Sequence, residues 1–146
     1  MLAGFQKETL KELAGLVTVY GTGPVNLNTA PAPVLTRLGL SASLADQVVA
    51  FRLGQDGKWG TQDDGVFVDV EQIIPTLENR LGSLPPEDRT VLGNLISSQR
   101  IGVRSSYYQV EVEGWTQADG IHTKVITVME RVGANTRPIL RGLYEI

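Results

Sequence analysis

The chain has 146 residues, of which 42% are hydrophobic, and its 13 basic and 16 acidic side chains leave a net charge of −3. This length and composition predict one domain, or one domain that carries a substantial insertion, with an ordinary hydrophobic core. The negative charge argues against general affinity for a nucleic-acid backbone, the absence of cysteine excludes disulfides and cysteine-based zinc sites, and no apolar run reaches the ~20 residues of a membrane span.

The chain begins with a loosely helical pattern that changes to a β-prone one. Phe5, Leu10 and Leu13 lie at approximately helical spacing. Residues 16–20 then read LVTVY and predict a short strand, which the following Gly-Thr-Gly-Pro run ends.

The middle of the chain predicts short helices, and the first two form a tight hairpin. Asn28 and Thr29 carry side-chain oxygens that can cap the first helix, and Pro31 suits its first turn. The second helix is predicted to start at Ser43, with Asp46 in a capping-box-like position three residues later.

Two more helices are predicted before residue 100. The third begins at Asp69, with Gln72 at the capping-box position, and is expected to end near Pro75 because proline interrupts a helix interior. The fourth runs from about Pro86 to Ser97.

The remainder of the chain has the alternating pattern of strands. Within residues 106–114 the alternation sets Tyr108, Val110 and Val112 on one side and Gln109, Glu111 and Glu113 on the other. Residues 123–132 and 138–146 predict two further strands, so the three form an antiparallel meander. The predicted fold class is therefore α+β, with a helical domain of residues 24–98 inserted into a β-sheet domain of residues 1–23 and 99–146.

Three phrases in the helical region resemble a known family of modules. VNLNTAPAPVL at 25–35, LADQVVAFR at 44–52 and VFVDVEQIIPTL at 66–77 resemble helix-hairpin-helix modules that begin with an Asn-x-Asn-Thr-Ala phrase. The matching positions are Asn26, Asn28, Thr29, Ala30, Arg52 and Phe67. With the flanking LVTVYGTGPVNLNTAP and the strands VRSSYYQVEVEGW, KVITVMERV and PILRGLYEI, the chain resembles the K-type minor pseudopilin family of the type II secretion system (general secretion pathway protein K).

This resemblance implies a fold, a role and a location. The fold would be a pilin-like antiparallel sheet with an inserted helical domain of the helix-hairpin-helix, or SAM-like, kind. The role would be structural and not enzymatic: the protein would cap the tip of the periplasmic pseudopilus through contacts with other minor pseudopilins. The full-length protein would be anchored to the bacterial inner membrane by an apolar helix that this chain lacks, and no small-molecule substrate is expected.

Competence-type DNA-binding proteins carry the same phrase and give the alternative function. Hairpins that grip a DNA phosphate usually present a Gly-x-Gly turn flanked by Lys or Arg. Here the turn reads LGLSAS at 38–43, with Arg37 as the basic residue beside it and Asp46 just after. We therefore expect no nucleic-acid binding.

The sequence gives no catalytic constellation. His122 is the single histidine, and no Gly-x-Ser-x-Gly phrase accompanies it. His122 is expected to be an exposed hairpin residue, and no catalytic residue is predicted. Trp59 and Trp115 are expected to pack structurally, although an exposed tryptophan would be a candidate anchor for a protein contact.

The loop of residues 55–65, QDGKWGTQDDG, is the segment that suggests an ion; we call it the acidic loop. Asp56, Asp63 and Asp64 place three carboxylates in it, between glycines that allow the backbone to turn. Calcium takes about six to eight oxygen ligands from flexible loops. The EF-hand pattern is not matched, because Lys58 and Gly60 stand where oxygen-bearing side chains belong. The sequence predicts either a calcium site at these three aspartates or a solvated turn.

Overall fold

The computed structural model describes Leu13 and residues 16–21, 23–115 and 122–145. In this part of the chain the protein is a mixed α/β structure with four helices and two small sheets. The chain divides into two compact units, Met1–Arg104 and Ser105–Ile146, which we call the helical unit and the sheet unit.

The helical unit contains a short parallel strand pair and four helices. In chain order its elements are β1 (Val25–Asn26), α1 (Ala32–Arg37), α2 (Ala42–Arg52), α3 (Ile73–Leu81), α4 (Pro86–Ser97) and β2 (Ile101–Gly102). The predicted bounds of the fourth helix are confirmed by α4. Within the described residues, none of the helices combines the length and apolar character that crossing a membrane requires.

Side chains from all four helices and from the short strand pair meet in one hydrophobic core. Its largest fully buried side chains are Leu27, Leu35, Leu44, Val48, Ile73, Leu77, Leu92 and Ile101. Phe67 is also buried, and its ring lies 4.8 Å from that of Phe51 between centroids. Because burying one such side chain contributes about 1.5–3 kcal/mol, this core is the main source of the unit's stability.

The parallel pair of β1 and β2 joins the first and last segments of the helical unit. Val25 lies opposite Ile101, and the N–H of Val25 donates to the carbonyl oxygen of Arg100 at 2.9 Å. The N–H of Leu27 donates to the carbonyl oxygen of Gly102 at 2.8 Å. Residues 25–27 and 100–102 of the helical unit are therefore neighbours.

The sheet unit is an antiparallel meander in which β3 (Tyr107–Trp115), β4 (His122–Val132) and β5 (Asn135–Glu145) follow in spatial order. This confirms the predicted meander: β4 ends at Val132 as predicted, and the other strand bounds differ from the prediction by one to three residues. The alternation in β3 is also confirmed, since Glu111 and Glu113 lie on one side, where both pair with Lys124 at 2.8 and 3.4 Å.

The predicted starts of the first two helices are wrong. The N-cap of α1 is Pro31, which makes no side-chain capping bond, so Asn28 and Thr29 do not cap it. α2 begins after Ser41, whose Oγ accepts the N–H of Leu44 at 3.1 Å. Ser41 has the extended backbone of an N-cap residue, because the hairpin turn ends immediately before it.

The predicted third helix is wrong at both ends. α3 starts at Ile73, and Pro75 lies in its first turn, where the missing N–H would have no intrahelical partner. Asp69 lies in the turn before the helix, where its Oδ1 accepts the N–H of Glu71 at 2.9 Å. Pro75 therefore lies near the start of this helix and does not end it.

The predicted strand at residues 16–20 is also wrong. The N–H groups of Leu16 and Val17 both donate to the carbonyl oxygen of Leu13, at 2.8 and 3.1 Å, so the segment starts as a turn. Val17 and Val19 are largely exposed. β-prone residues form a strand only where a partner strand accepts them. The predictions for residues 1–12 lie outside the described residues.

The division of the chain after Arg104 lies later than the predicted boundary at residue 98. Ile101 is buried in the helical core and pairs with Val25, which holds β2 in the helical unit.

Candidate functional site

The Asn-x-Asn-Thr-Ala phrase folds as a turn directly after β1. The side-chain oxygen of Asn26 accepts the N–H of Asn28 at 3.0 Å, the geometry of an Asx turn. The side chain of Asn28 then binds two distant segments. Its Nδ2 donates to the carbonyl oxygens of Phe67 and Val103, at 2.8 and 2.9 Å, and its Oδ1 accepts the N–H of Phe67 at 2.8 Å. Asn28 therefore ties together the beginning, middle and end of the helical unit.

Arg52, the last residue of α2, binds the same turn from the other side. Its side chain is buried, and its Nη1 donates to the carbonyl oxygens of Leu27 and Ala30, at 3.1 and 2.6 Å. Its Nε is buried without a hydrogen-bond partner. Desolvation by burial lowers the pKa of Arg52. The guanidinium therefore satisfies two carbonyl groups that the turn leaves without backbone partners.

The ring of Trp59 lies over Arg52, with the guanidinium carbon 4.7 Å from the ring centroid. This cation–π contact joins the acidic loop to the end of α2. Trp59 is nevertheless 59% exposed, and Trp115, the last residue of β3, is 71% exposed. Trp59 therefore packs on Arg52 while it presents most of its surface to solvent, and Trp115, which was also expected to pack structurally, is largely exposed.

The residues on which the family resemblance depends are thus neighbours in space. We call Asn26, Asn28, Ala30, Arg52 and Phe67 the motif cluster. The hydrogen bonds described above for the three polar members go to backbone groups of the same unit. The motif cluster therefore organises the backbone, and sequence analysis missed this role because the partners lie far apart in the chain.

The hairpin turn between α1 and α2 uses its own N–H groups internally. Those of Gly39 and Leu40 donate to carbonyl oxygens of α1, at 3.0 and 3.3 Å. The N–H of Ser41 donates to Oδ1 of Asp88 at 3.0 Å, and its hydroxyl donates to Oδ2 at 2.8 Å. These three N–H groups, which a phosphate would need, are occupied.

Asp88 is a structural residue that sequence analysis missed. It is only 6% exposed, and it lies in the first turn of α4 on the same stripe as Leu92 and Leu95. An acidic residue within an apolar stripe was the signal that could have found it, because a buried carboxylate requires hydrogen-bond donors.

In the acidic loop, Asp63 accepts hydrogen bonds from two backbone amides and one hydroxyl. Its Oδ2 accepts the N–H groups of Gln55 and Asp56, and its Oδ1 accepts the hydroxyl of Thr61 at 2.8 Å. These hydrogen bonds lower the pKa of Asp63, and the bond from Thr61 has the largest effect.

The three predicted metal ligands do come together, around Thr61. Its Oγ1 lies 2.8 Å from Oδ1 of Asp63, 3.1 Å from Oδ1 of Asp64 and 3.4 Å from Oδ1 of Asp56. One hydroxyl proton can serve only one of these oxygens at a time. Across the described residues, however, no group of three or more His, Cys, Asp or Glu side chains is arranged to hold a metal ion. Calcium binding stays a prediction.

The two faces of the sheet unit differ in chemistry. On one face, Glu130 accepts the hydroxyl of Tyr107 at 2.9 Å and pairs with Arg137 at 2.6 Å. On the other face of β3, Tyr108, Val110 and Val112 are 40%, 39% and 57% exposed. A run of exposed apolar side chains on one sheet face is typical of a surface that binds protein.

A depression of about 240 Å³ lies between the α1–α2 turn and α4. Of the side chains that line it, only that of Arg100 is charged. The depression therefore holds no acid–base pair of the kind that hydrolytic chemistry requires.

Comparison of the chain with models of protein families, with curated proteins and with solved structures finds no match. The resemblance to the pseudopilin family accordingly stays a prediction from the motif residues.

Proposed function

We propose that the protein is a structural, non-enzymatic minor pseudopilin of the K type. It acts at the tip of a periplasmic pseudopilus by binding other minor pseudopilins, and the full-length protein is anchored to the inner membrane. The observation that carries this proposal is the motif cluster. The cluster contains five of the six residues that match the family, and its hydrogen bonds fix the backbone of the helical unit. The sixth matching residue, Thr29, is exposed.

The pairing of β1 with β2 supports an inserted helical domain in a pilin-like fold. An insertion is tolerated when its two ends lie close together, because the host chain can then continue across the gap. β1 and β2 place residues 25 and 101 on adjacent strands. The three-stranded meander is compatible with the sheet that receives such an insertion.

The exposed apolar face of β3 and the exposed Trp115 support binding to other proteins. Tryptophan is among the residues that contribute most to protein–protein affinity. On this face Val110 and Val112 are 39% and 57% exposed, whereas Trp115, on the opposite face of β3, is 71% exposed. A partner that covers either surface would remove apolar area from water.

The DNA-binding alternative is less favoured by the geometry of the hairpin turn. Phosphate recognition by such a turn needs free backbone N–H groups, and those of residues 39–41 are bonded within the unit. The carboxylate of Asp88 also places a negative charge beside the turn.

The acidic loop is proposed to bind calcium through Asp56, Asp63 and Asp64, with the convergence of their carboxylates around Thr61 as support. In the present conformation backbone N–H groups take several of these oxygens. Calcium binding therefore requires the loop to release some of these hydrogen bonds.

The test is assembly with the other minor pseudopilins of the same secretion system. The purified chain is mixed with their periplasmic regions, and complexes are measured by size-exclusion chromatography with light scattering. We expect a defined complex that V112K weakens and that Q109K, which adds the same side chain to the opposite, polar face of β3, leaves largely intact. A chain that binds none of these partners yet binds duplex DNA at physiological salt would contradict the proposal.

A further inference from the structure

The segment between the acidic loop and α3 has an extended course with only its central residue buried. Phe67 is 2% exposed, whereas Val66 and Val68 are 60% and 74% exposed. This alternation is that of a β-strand, in which neighbouring side chains point to opposite faces. On one edge of the segment, the carboxamide of Asn28 pairs with both the N–H and the carbonyl oxygen of Phe67.

The other edge of this segment is open. In an extended chain the peptide groups of residues on either side of Phe67 point away from the edge that Asn28 occupies. The backbone groups of Val66 and Val68 make no hydrogen bond to any residue in the described part of the chain. They form a short row of donors and acceptors, which we call the Val66–Val68 edge, of the kind that accepts an additional strand.

The residues around the Val66–Val68 edge are acidic on both sides. Asp63 and Asp64 precede it, Asp69 and Glu71 follow it, and no Lys or Arg occurs from Trp59 to Asn79. This charge favours a partner whose extended segment carries basic residues at its ends.

The same charges disfavour pairing with a second copy of the chain. An antiparallel pair centred on Phe67 would set Glu71 of one copy opposite Asp63 of the other. A parallel pair would set each acidic residue beside its own counterpart. Like charges placed opposite one another destabilise a strand pair.

We propose that the Val66–Val68 edge binds an extended segment of a partner protein by strand addition, and that this segment has β-branched residues flanked by Lys or Arg. Main-chain hydrogen bonds to Val66 and Val68 supply affinity, and the acidic flanks select the basic ends. This surface does not depend on the pseudopilin assignment, since it requires only an extended basic segment.

Amide hydrogen exchange followed by NMR on the full ¹⁵N-labelled chain tests the proposal, with the synthetic peptide Lys-Val-Thr-Val-Thr-Val-Lys as the probe. In the free protein the N–H of Phe67 exchanges slowly, because it is bonded to Asn28, and those of Val66 and Val68 exchange fast. With saturating peptide, the N–H groups of Val66 and Val68 slow by at least about tenfold and that of Phe67 changes little.

Two controls separate strand addition from other modes of binding. A peptide that is N-methylated at alternate residues cannot complete the strand pair and binds at least about tenfold more weakly. V68P removes one edge N–H and weakens binding, whereas V68T keeps the N–H and binds as the natural chain does. Three outcomes would each overturn the proposal. The N–H groups of Val66 and Val68 would gain no protection from exchange at millimolar peptide, or the methylated peptide would bind as well as the unmodified one. Alternatively, protection would rise with protein concentration in the absence of peptide.

Discussion

The side-chain amide of Asn28 pairs with both the N–H and the carbonyl oxygen of Phe67, 39 residues further along the chain. The side chain of Asn28 thereby makes the two hydrogen bonds to Phe67 that the backbone of a neighbouring strand would make. Because its Nδ2 also donates to Val103, a single residue holds three segments of the helical unit that no regular secondary structure joins at this point.

Replacement of Asn28 by alanine is expected to destabilise the helical unit by about 2–4 kcal/mol, since it leaves three partly buried backbone groups without partners. N28D keeps an acceptor for the N–H of Phe67 but loses both donated bonds, so it should also be strongly destabilising. The measurement is urea unfolding, with T29A as the control, because Thr29 belongs to the same phrase but is exposed. An N28A chain within about 0.5 kcal/mol of the natural one would show that the bonds are dispensable.

The contact between Arg52 and Trp59 should appear as a coupling free energy. A double-mutant cycle of R52M and W59A is expected to give about 0.5–2 kcal/mol of coupling, because the ring lies over the guanidinium. R52M alone should cost more than W59A, since it also leaves the carbonyl oxygens of Leu27 and Ala30 unpaired. Strictly additive free energies of unfolding would mean that the stacking contributes nothing.

Asp88 should be required for the hairpin turn. D88A removes both acceptors of Ser41 and is expected to cost about 2–3 kcal/mol. E87A, which changes an exposed acid in the same helical turn, is the matched control and should change the free energy of unfolding by less than about 0.5 kcal/mol. Equal effects of the two substitutions would show that only the charge of the first turn matters.

The stability of the sheet unit should fall in acid. The hydrogen bond from Lys124 lowers the pKa of Glu111, and the hydrogen bonds from Arg137 and Tyr107 lower that of Glu130. A carboxyl whose folded pKa lies below its unfolded value contributes stability that is present above the unfolded pKa. That stability is lost as the pH falls through the folded pKa. The loss should therefore begin below about pH 4.5, the ordinary value for these groups.

The loss of stability in acid can be measured for the sheet unit alone in a W59F background, where Trp115 on β3 is the remaining tryptophan and reports unfolding by its fluorescence. K124M removes the partner that lowers the pKa of Glu111, so the melting temperature should fall less steeply as the pH drops below about 4.5. R131M, on the same strand, should leave the slope unchanged. If the melting temperature of K124M fell with pH as steeply as that of the natural chain, the loss of stability would come from other carboxylates.

Calcium binding by the acidic loop is tested by titration calorimetry with the full chain. We expect heat and a rise in melting temperature at millimolar calcium, both lost in D63A, because Asp63 would be a ligand. Q62A is the control, since Gln62 is an exposed neighbour that the site does not use. If the natural chain gives no heat and no stabilisation, the loop is an ordinary turn held by its own hydrogen bonds.

Sequence analysis succeeded where the signal is local. The stripe of α4 and the alternation of β3 each lie within about a dozen residues, so periodicity alone predicts them. It failed where the partner is distant. Asparagine is a common helix-capping residue, so the sequence favours a cap at Asn28. Only the positions of Phe67 and Val103 in the fold show that its side chain bridges distant segments.

Other errors have similar physical origins. Ser43 fits the N-cap pattern in sequence, but the buried carboxylate of Asp88 binds Ser41, which is the N-cap in the structure. Residues 16–20 have strand propensity, yet their described part forms a turn with Val19 exposed. The aspartates of the acidic loop were predicted to converge, but their hydrogen bonds to backbone N–H groups depend on a loop geometry that composition does not specify.

The parallel pairing of β1 and β2 has a mechanical consequence. Because the strands run in the same direction, the segment of residues 25–102 begins at one end of the pair and ends at the other. Tension applied through these two ends acts along the strands and loads the bonds of Val25, Leu27 and Asn28 to residues 100, 102 and 103 together, as shear. Bonds loaded together resist more force than bonds that open one after another, so the pair resists tension along its strands.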